Sequence, residues 1–284
     1  MNSGILPGMA TSLGELLAGV TTLSDIDSRS TPGFDGDKKD AEQAMPDIGD
    51  ELADLQECLY ANGTRDDPRS VLLVLQGMDT SGKGGTIRHA AGLVDPQGLY
   101  ITSFKQPTPE ELEYDFLWRI EKALPPAGKI GIFDRSQYED VLICRVRELA
   151  PADEIERRYG AINDFEQAYV DGGGTIVKCL LHITADDQKE RLFARLDDPT
   201  KHWKYNPGDV EERALWADYQ QAYELALERC TTDAAPWFVV PSGRKWYRNW
   251  AVATVLLEHL RALDLTWPVA DFDVDAEKAR VAAS

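Results

Sequence analysis

The chain has 284 residues, 43% of them apolar and 9% aromatic, and a formal charge of −19 at neutral pH. That length can bury a sizeable core in one large domain or two small ones, and so acidic a balance argues against a nucleic-acid partner, which needs a basic face. No run approaches the ~18 uninterrupted apolar residues of a membrane span, and no basic stretch precedes an apolar one as a secretory signal would, so a cytoplasmic protein is expected. Cys58, Cys144, Cys179 and Cys230 are scattered without a C-x-x-C pair and read as reduced thiols. The charge is uneven: residues 1–60 carry 12 acids against 3 bases, which leaves room for local basic clefts in the body.

Residues 1–37 are rich in Gly, Ser, Thr and Asp with weak periodicity, so a poorly ordered acidic tail is expected there. Removing residues 1–36 should then leave the melting temperature nearly unchanged. Ile48, Leu52, Leu55 and Leu59 fall at helical spacing and predict a helix over 47–60, stopped by Asn62-Gly63. "VLLVLQ" (71–76) reads as a strand buried on both faces, followed by a glycine-rich loop and a helix to about residue 93. "LYITSF" (99–104) is the second strand, with a helix opening at Thr108-Pro109. "KIGIFD" (129–134), "TIVKCLLHI" (175–183) and "WFVV" (237–240) complete five strands, and Ser242 is the expected cap of a last helix to about residue 263. Strands alternating with helices predict an α/β fold with a parallel five-stranded sheet covered on both faces. No repeat or linker divides it: one catalytic domain over 38–265, with a C-terminal tail over 266–284.

The chemistry concentrates in three stretches. "GMDTSGKGGT" (77–86) has the Gly77, Gly82, Lys83 spacing of a phosphate-binding loop, but Gly84 stands where Ser or Thr would offer magnesium a hydroxyl. The loop lies between a strand and a helix, so its backbone N–H groups, including those of Gly84, Gly85 and Thr86, would wrap a phosphate that Lys83 reaches. A ligand-free glycine turn is the plain alternative. In "IGIFDRSQYED" (130–140), Asp134 ends a strand at the sheet edge where ligands of open α/β sheets bind. Arg135 beside it can brace a phosphoryl group with paired donors. Asp79 and Asp134 could together hold a hard cation, Mg²⁺ or alternatively Mn²⁺, in place of the missing hydroxyl; for Asp79 the competing role is an Asx turn.

The third stretch, "KERLFARLDDPTKHWKYNPGD" (189–209), reads as a helix followed by a mobile lid over 197–208. Arg195, Lys201 and Lys204 are candidates to close over phosphates, whereas Arg191 is expected on a solvated, ion-paired face. Trp216, Tyr219 and Tyr223, at helical spacing, read as core, and the four histidines form no ligand pattern.

At these residues the chain resembles the polyphosphate kinase 2 family, polyphosphate:nucleotide phosphotransferases on a P-loop kinase fold. The resemblance rests on "GMDTSGKGGTIRH", "GLYITSFKQPTPEELEYDFLWRI", "GIFDRSQYEDVL", "RLDDPTKHWKYNPGD" and "APWFVVPSGRKWYRNWAVA", in the family's order over roughly residues 45–265. It implies a G-x-D-x-x-G-K loop in which Asp79 and Asp134 are the metal-directed carboxylates, with Arg135 and Arg195 at the phosphates and a lid at 197–208. One departure is Gly243, where many members carry an acid. Glu139 after "DRSQY" is similar to members that accept both AMP and ADP, and a carboxylate there can accept a hydrogen bond from the adenine amine. The implied activity is reversible, magnesium-dependent phosphoryl transfer between inorganic polyphosphate and adenine nucleotides, the choice between adenine and guanine nucleotides being left open by the sequence, by a homo-oligomer (dimer or tetramer). An ATP-dependent nucleoside monophosphate kinase, or a nucleotide-binding ATPase without transfer, is the alternative.

Overall fold

Each of the five apolar runs becomes a strand, and all five lie parallel. The computed structural model describes residues 11–284. The strands are β1 (Ser70–Gln76), β2 (Leu99–Ser103), β3 (Ile130–Asp134), β4 (Gly174–His182) and β5 (Trp237–Pro241), in the sheet order β2-β3-β1-β4-β5. The helices before β4 are α1 (Leu13–Leu17), α2 (Lys38–Gly63), α3 (Lys83–His89), α4 (Trp118–Lys122), α5 (Ile143–Val146) and α6 (Ala152–Asp171). After it come α7 (Ala185–Leu196), α8 (Gly208–Ala214), α9 (Trp216–Arg229), α10 (Lys245–Ala262) and α11 (Val274–Ala282). Among the described residues no helix is long and apolar enough to cross a membrane.

Continuous apolar strands arise because alternate side chains enter two different cores. Val71, Leu73 and Leu75 of β1 pack with α2 and α10, whereas Leu72 and Val74 pack with α6 and α9. The order places β1 at the centre, with β3 and β4 on either side, so the chain reverses direction across the sheet next to β1. A crevice opens at the carboxyl ends there. Register puts Leu75 opposite Asp134, so the glycine loop and the end of β3 share one edge.

The expected disorder of the N-terminal segment does not hold over residues 11–37; residues 1–10 lie outside the described residues. Leu13, Leu17 and Leu23 are buried. Glu258 of α10 accepts from the backbone N–H groups of Leu13 (2.8 Å) and Gly14 (3.0 Å), capping the start of α1 from across the fold. Leu23 N–H donates to Glu224 (2.7 Å), Tyr247 donates to Pro32 O (2.7 Å), and the Phe34 ring lies 4.6 Å from that of Trp250. The segment is a strap laid on the catalytic body.

Three boundaries also differ. Helix α2 begins nine residues before the expected start and runs through Pro46, because Asp37 caps the N–H groups of Lys39 and Asp40. At Thr108-Pro109 the capping contacts exist, Glu111 N–H donating to the Thr108 hydroxyl (3.2 Å), but only one turn forms. Leu112 and Tyr114 remain exposed, so the turn buries too little apolar surface to extend. Ser242 does not cap α10: Arg244 occupies that position, and the Ser242 hydroxyl donates to Val240 O (2.9 Å). The C-terminal tail carries α11, which buries no residue.

Candidate active site

The loop after β1 needs backbone conformations that a side chain obstructs. Gly77 has φ 148°, and a Cβ there would lie 2.7 Å from Leu181 O. Gly82 has φ 110°, and a Cβ would lie 1.7 Å from Nη1 of Arg248. Thr80 takes the left-handed region without being glycine (φ 69°), as does Arg135 (φ 65°), a concentration of strained backbone typical of functional loops. The hydroxyls of Thr80 and Ser81 are buried with no partner in the protein, which fits a loop shaped to meet external oxygens.

Lys83 opens α3, and its ammonium reaches back to Gly77 O (2.9 Å), spanning the loop. Burial lowers its pKa; Asp79, Asp134 and Glu139 oppose the shift while Arg135 adds to it. Arg135 Nη2 donates to Asp79 Oδ1 (3.3 Å), and its backbone N–H to Leu75 O (3.1 Å). Burial works against the Arg135 charge, but the carboxylates of Glu139, Asp79 and Asp134 outweigh it and hold its pKa up. Burial also raises the Glu139 carboxyl, with Arg135 and Lys83 opposing. Five of the residues singled out from the sequence thus form one electrostatic cluster: Asp79, Lys83, Asp134, Arg135 and Glu139.

Three of its members, Asp79, Arg135 and Glu139, form one wall of a cavity. Leu142, Ile143, Tyr219 and Tyr223 make its apolar and aromatic side, and Asn206, Asp209, Glu211 and Glu212 its far rim. Tyr219 and Tyr223, expected as core, are buried but line this cavity; Tyr219 donates to Glu212 (2.7 Å). Helical periodicity reports that a face is covered, not whether the cover is protein or ligand.

The other candidates fall elsewhere. Thr86 is fully buried, its hydroxyl turned back to Gly82 O (3.3 Å). Arg195 donates to Lys204 O (2.9 Å) and Asp209 (3.3 Å), fastening residues 199–204 to the start of α8. Lys201 pairs with Asp198 (2.6 Å), and the Lys204 ammonium sits 4.9 Å over the Trp203 ring. None of these three cations lines the cavity.

Arg191 corrects the expectation of a solvated ion pair. Its guanidinium donates to Thr80 O (2.9 Å) and Ser81 O (3.0 Å) in the loop, and to Gly243 O (3.2 Å) after β5. Arg248, 3% exposed, donates to Ser81 O (3.1 Å) and packs on Gly82 and Gly85. Burial and the neighbouring Arg191 lower its pKa to about 10. Lys245 lies close by: burial lowers its pKa, aided by Arg191, Arg248 and Lys201. A basic flank therefore backs the loop, and none of its three residues lines the acidic cavity. The sequence did hold a trace of this flank, since Arg248 and Asn249 interrupt the otherwise apolar run Trp246–Ala251 of a buried helix.

The donor set also suits a hard cation. Asp79 and Asp134 offer two carboxylates beside Lys83, and among the described residues no third His, Cys, Asp or Glu completes a cage. Two side-chain oxygens with the remaining positions left to water and phosphate match the binding habit of magnesium. Gly84 is exposed, and no atom lies within 4 Å of where its Cβ would stand. Space does not forbid a hydroxyl there.

A sequence profile of the family described as Polyphosphate kinase 2 matches residues 35–266. The chain belongs to that family. It is 45% identical over 246 residues to an AMP/ADP-polyphosphate phosphotransferase of Meiothermus ruber, covering 87% of this chain and 91% of that protein. An ADP-polyphosphate phosphotransferase of Rhodopseudomonas palustris is 41% identical over 229 residues, 76% of this chain and 78% of its own. The crystal structure of Polyphosphate Kinase 2 from Arthrobacter aurescens TC1 superposes with a TM-score of 0.95 at 53% identity, covering 97% of this chain and 98% of that one. The polyphosphate kinase 2 fold is therefore a five-stranded parallel sheet carrying the glycine loop at its centre.

Proposed function

We propose that this kinase transfers the terminal phosphoryl group of inorganic polyphosphate to AMP and to ADP, and runs in reverse. The observation that carries the reading is the loop itself, with an acidic, aromatic cavity lined by one set of residues and a basic flank made by another. Two differently charged faces suit two different substrates. Relatives named for AMP/ADP and for ADP transfer support the same pair of acceptors.

In this reading the acceptor nucleoside occupies the cavity, its base against Tyr219 and Tyr223 and its amine toward Glu139. Its phosphate points at Arg135 and Lys83. The polyphosphate chain lies along Arg191, Arg248, Lys245 and Lys201, which reconciles a polyanion with an acidic protein. Phosphoryl transfer asks for alignment and charge neutralisation more than covalent work by side chains. Lys83 and Arg135 neutralise the equatorial oxygens as the group passes between donor and acceptor. Asp79 and Asp134 would hold magnesium, or manganese, which when bound supplies further neutralisation of phosphate charge. Arg195 acts by fastening the segment 199–204 beside the cavity rim.

Copies are expected to associate, because the edge strand β2 exposes Tyr100 and Ile101; light scattering of the purified chain tests this. The decisive experiment for the activity is a mixture of polyphosphate, magnesium and AMP without ATP. A polyphosphate-driven enzyme makes ADP and then ATP. An ATP-dependent nucleoside monophosphate kinase, or an ATPase, makes neither, and that result would remove the proposal.

A further inference from the structure

Lys178 lies in the middle of β4, opposite Val74 of β1 and Trp237 of β5, and is completely buried. Its ammonium donates to Glu166 Oε2 (2.6 Å), to the Tyr138 hydroxyl (2.8 Å) and to Cys230 O (2.7 Å). It also stands 5.3 Å from the Tyr138 ring and 5.2 Å from the Trp237 ring. Glu166 of α6 is equally buried. Burial drives the Glu166 carboxyl up and the Lys178 ammonium down, each against its partner's pull. An apolar pair would fill this space without that opposition, so filling space is not a sufficient account of the two charges.

What an apolar pair could not do lies on the other oxygen. Glu166 Oε1 accepts from the Gln137 amide (2.9 Å) and from the Tyr138 hydroxyl (2.8 Å). These two residues immediately precede Glu139 in the single 3₁₀ turn Gln137–Asp140. The turn is pinned on its other sides as well: Gln76 donates to Ser136 Oγ (3.2 Å), and Arg158 to Asp140 (3.1 Å). Glu139 is the turn residue whose side chain lines the acceptor cavity. One turn without a regular helix behind it has little stiffness of its own, so these external contacts determine where the Glu139 carboxylate stands.

We propose that the buried Glu166–Lys178 pair is the positioning element of the acceptor site: Lys178 orients Glu166, Glu166 fixes Gln137 and Tyr138, and the turn so held sets the preference between nucleoside mono- and diphosphate acceptors through Glu139. This rests on Glu139 being an acceptor contact. A monophosphate acceptor depends more on that contact than a diphosphate, which has a second phosphate to bind Arg135 and Lys83. Glu166 and Lys178 are positioning residues; neither reaches the cavity.

The test compares initial rates with AMP and with ADP, at saturating polyphosphate and magnesium, for the full chain and its variants. Glu139→Gln is expected to lower kcat/KM for AMP about tenfold and that for ADP about twofold, mostly in KM. The paired replacement Glu166→Leu with Lys178→Met removes both charges together and leaves no lone buried ion. It is expected to shift the AMP:ADP ratio at least threefold in the same direction. Combined with Glu139→Gln it should add nothing further, the non-additivity of groups that act as a unit. Glu166→Gln with Lys178→Met keeps the carbonyl acceptor for Gln137 and Tyr138, and should restore the wild-type ratio. A purely structural role lowers the amount of folded enzyme and scales both acceptors equally. If the Leu/Met pair does that, or if its effect adds fully to that of Glu139→Gln, the positioning proposal fails while the reading of Glu139 stands. If Glu139→Gln itself leaves the ratio unchanged, the acceptor reading fails and takes the proposal with it.

Discussion

Leu17 and Leu16 are neighbours in the strap with opposite fates: Leu17 is 2% exposed and Leu16 45%. Leu17→Ala removes a fully covered side chain and leaves a hole beneath α1, which costs about 3 kcal/mol within the usual 2–5 kcal/mol range of such truncations. For a chain of this size each kcal/mol moves the melting temperature by about 2–4 °C, so a drop of about 6–12 °C is expected. Leu16→Ala, losing little burial, should stay within about 2 °C. Calorimetry of the two variants beside the parent supplies the comparison, and limited trypsin cleavage after Arg29 reports undocking that melting does not register. The effect should reach activity. The Gly243 N–H donates to Ser28 O (2.7 Å), and the Gly243 carbonyl accepts from Arg191, which holds the phosphate loop. Leu17→Ala should therefore lower kcat while Leu16→Ala does not. Identical melting, cleavage and turnover in the two variants would refute a docked strap.

Four further outcomes are expected. Asp79→Ala and Asp134→Ala should each cut kcat by about two orders of magnitude or more, and Asp79→Asn should raise the magnesium needed for half activity; near-normal magnesium titrations would leave Asp79 a turn former only. Gly84→Ser, with open space at its Cβ, should fold as well as the parent and keep activity within about threefold, as the proposed pair of carboxylate ligands requires; loss of activity in a folded variant would count against two carboxylates sufficing. Arg248→Met should raise the KM for polyphosphate about tenfold and leave that for AMP within twofold, since the buried charge, disfavoured by about 3 kcal/mol at neutral pH, is retained for the donor polyanion; equal changes in both constants would dismiss the basic flank. Asp187 accepts from the Ser28 hydroxyl (2.5 Å) and pairs with Arg29 (2.9 Å); its carboxyl is held below the ordinary 3.8, burial being outweighed by these contacts. Its stabilisation is complete above that value and is lost as pH falls through the depressed one, so hydrogen exchange in residues 23–34 should quicken below about pH 3.8 and not between pH 5 and 7.

Strands and loop were legible because their causes are local. A strand buried on both faces must be apolar at successive positions, and a loop that closes on phosphate needs glycine where a Cβ would collide. The strap was not legible because its causes are remote. Leu13, Leu17 and Leu23 lie in a polar, glycine-rich stretch, and the groups that hold it, Glu224 and Glu258, come more than 200 residues later. The basic residues show the same division. Their abundance around residues 189–204 was plain, yet Arg191 rather than Lys204 braces the loop, a matter of which way a helix faces once packed. Gly243 joins the two lessons. A side chain there would meet Ser28 O and Arg29 Cγ, each at 2.8 Å, so glycine is what lets the strap cross at that point.

The glycine loop is also a partition. Residues lining the cavity beside it, Glu139, Tyr219, Tyr223 and Asn206, belong to different elements from the basic residues Arg191, Lys245 and Arg248, none of which lines that cavity. On the proposed assignment, selection on the nucleotide can proceed by exchanging side chains on α9 and in the turn after β3, while the basic residues proposed for the polymer keep their sequence. An enzyme built this way can change its acceptor without rebuilding its donor site, and a library confined to those four cavity positions tests that directly by screening for an unnatural nucleotide.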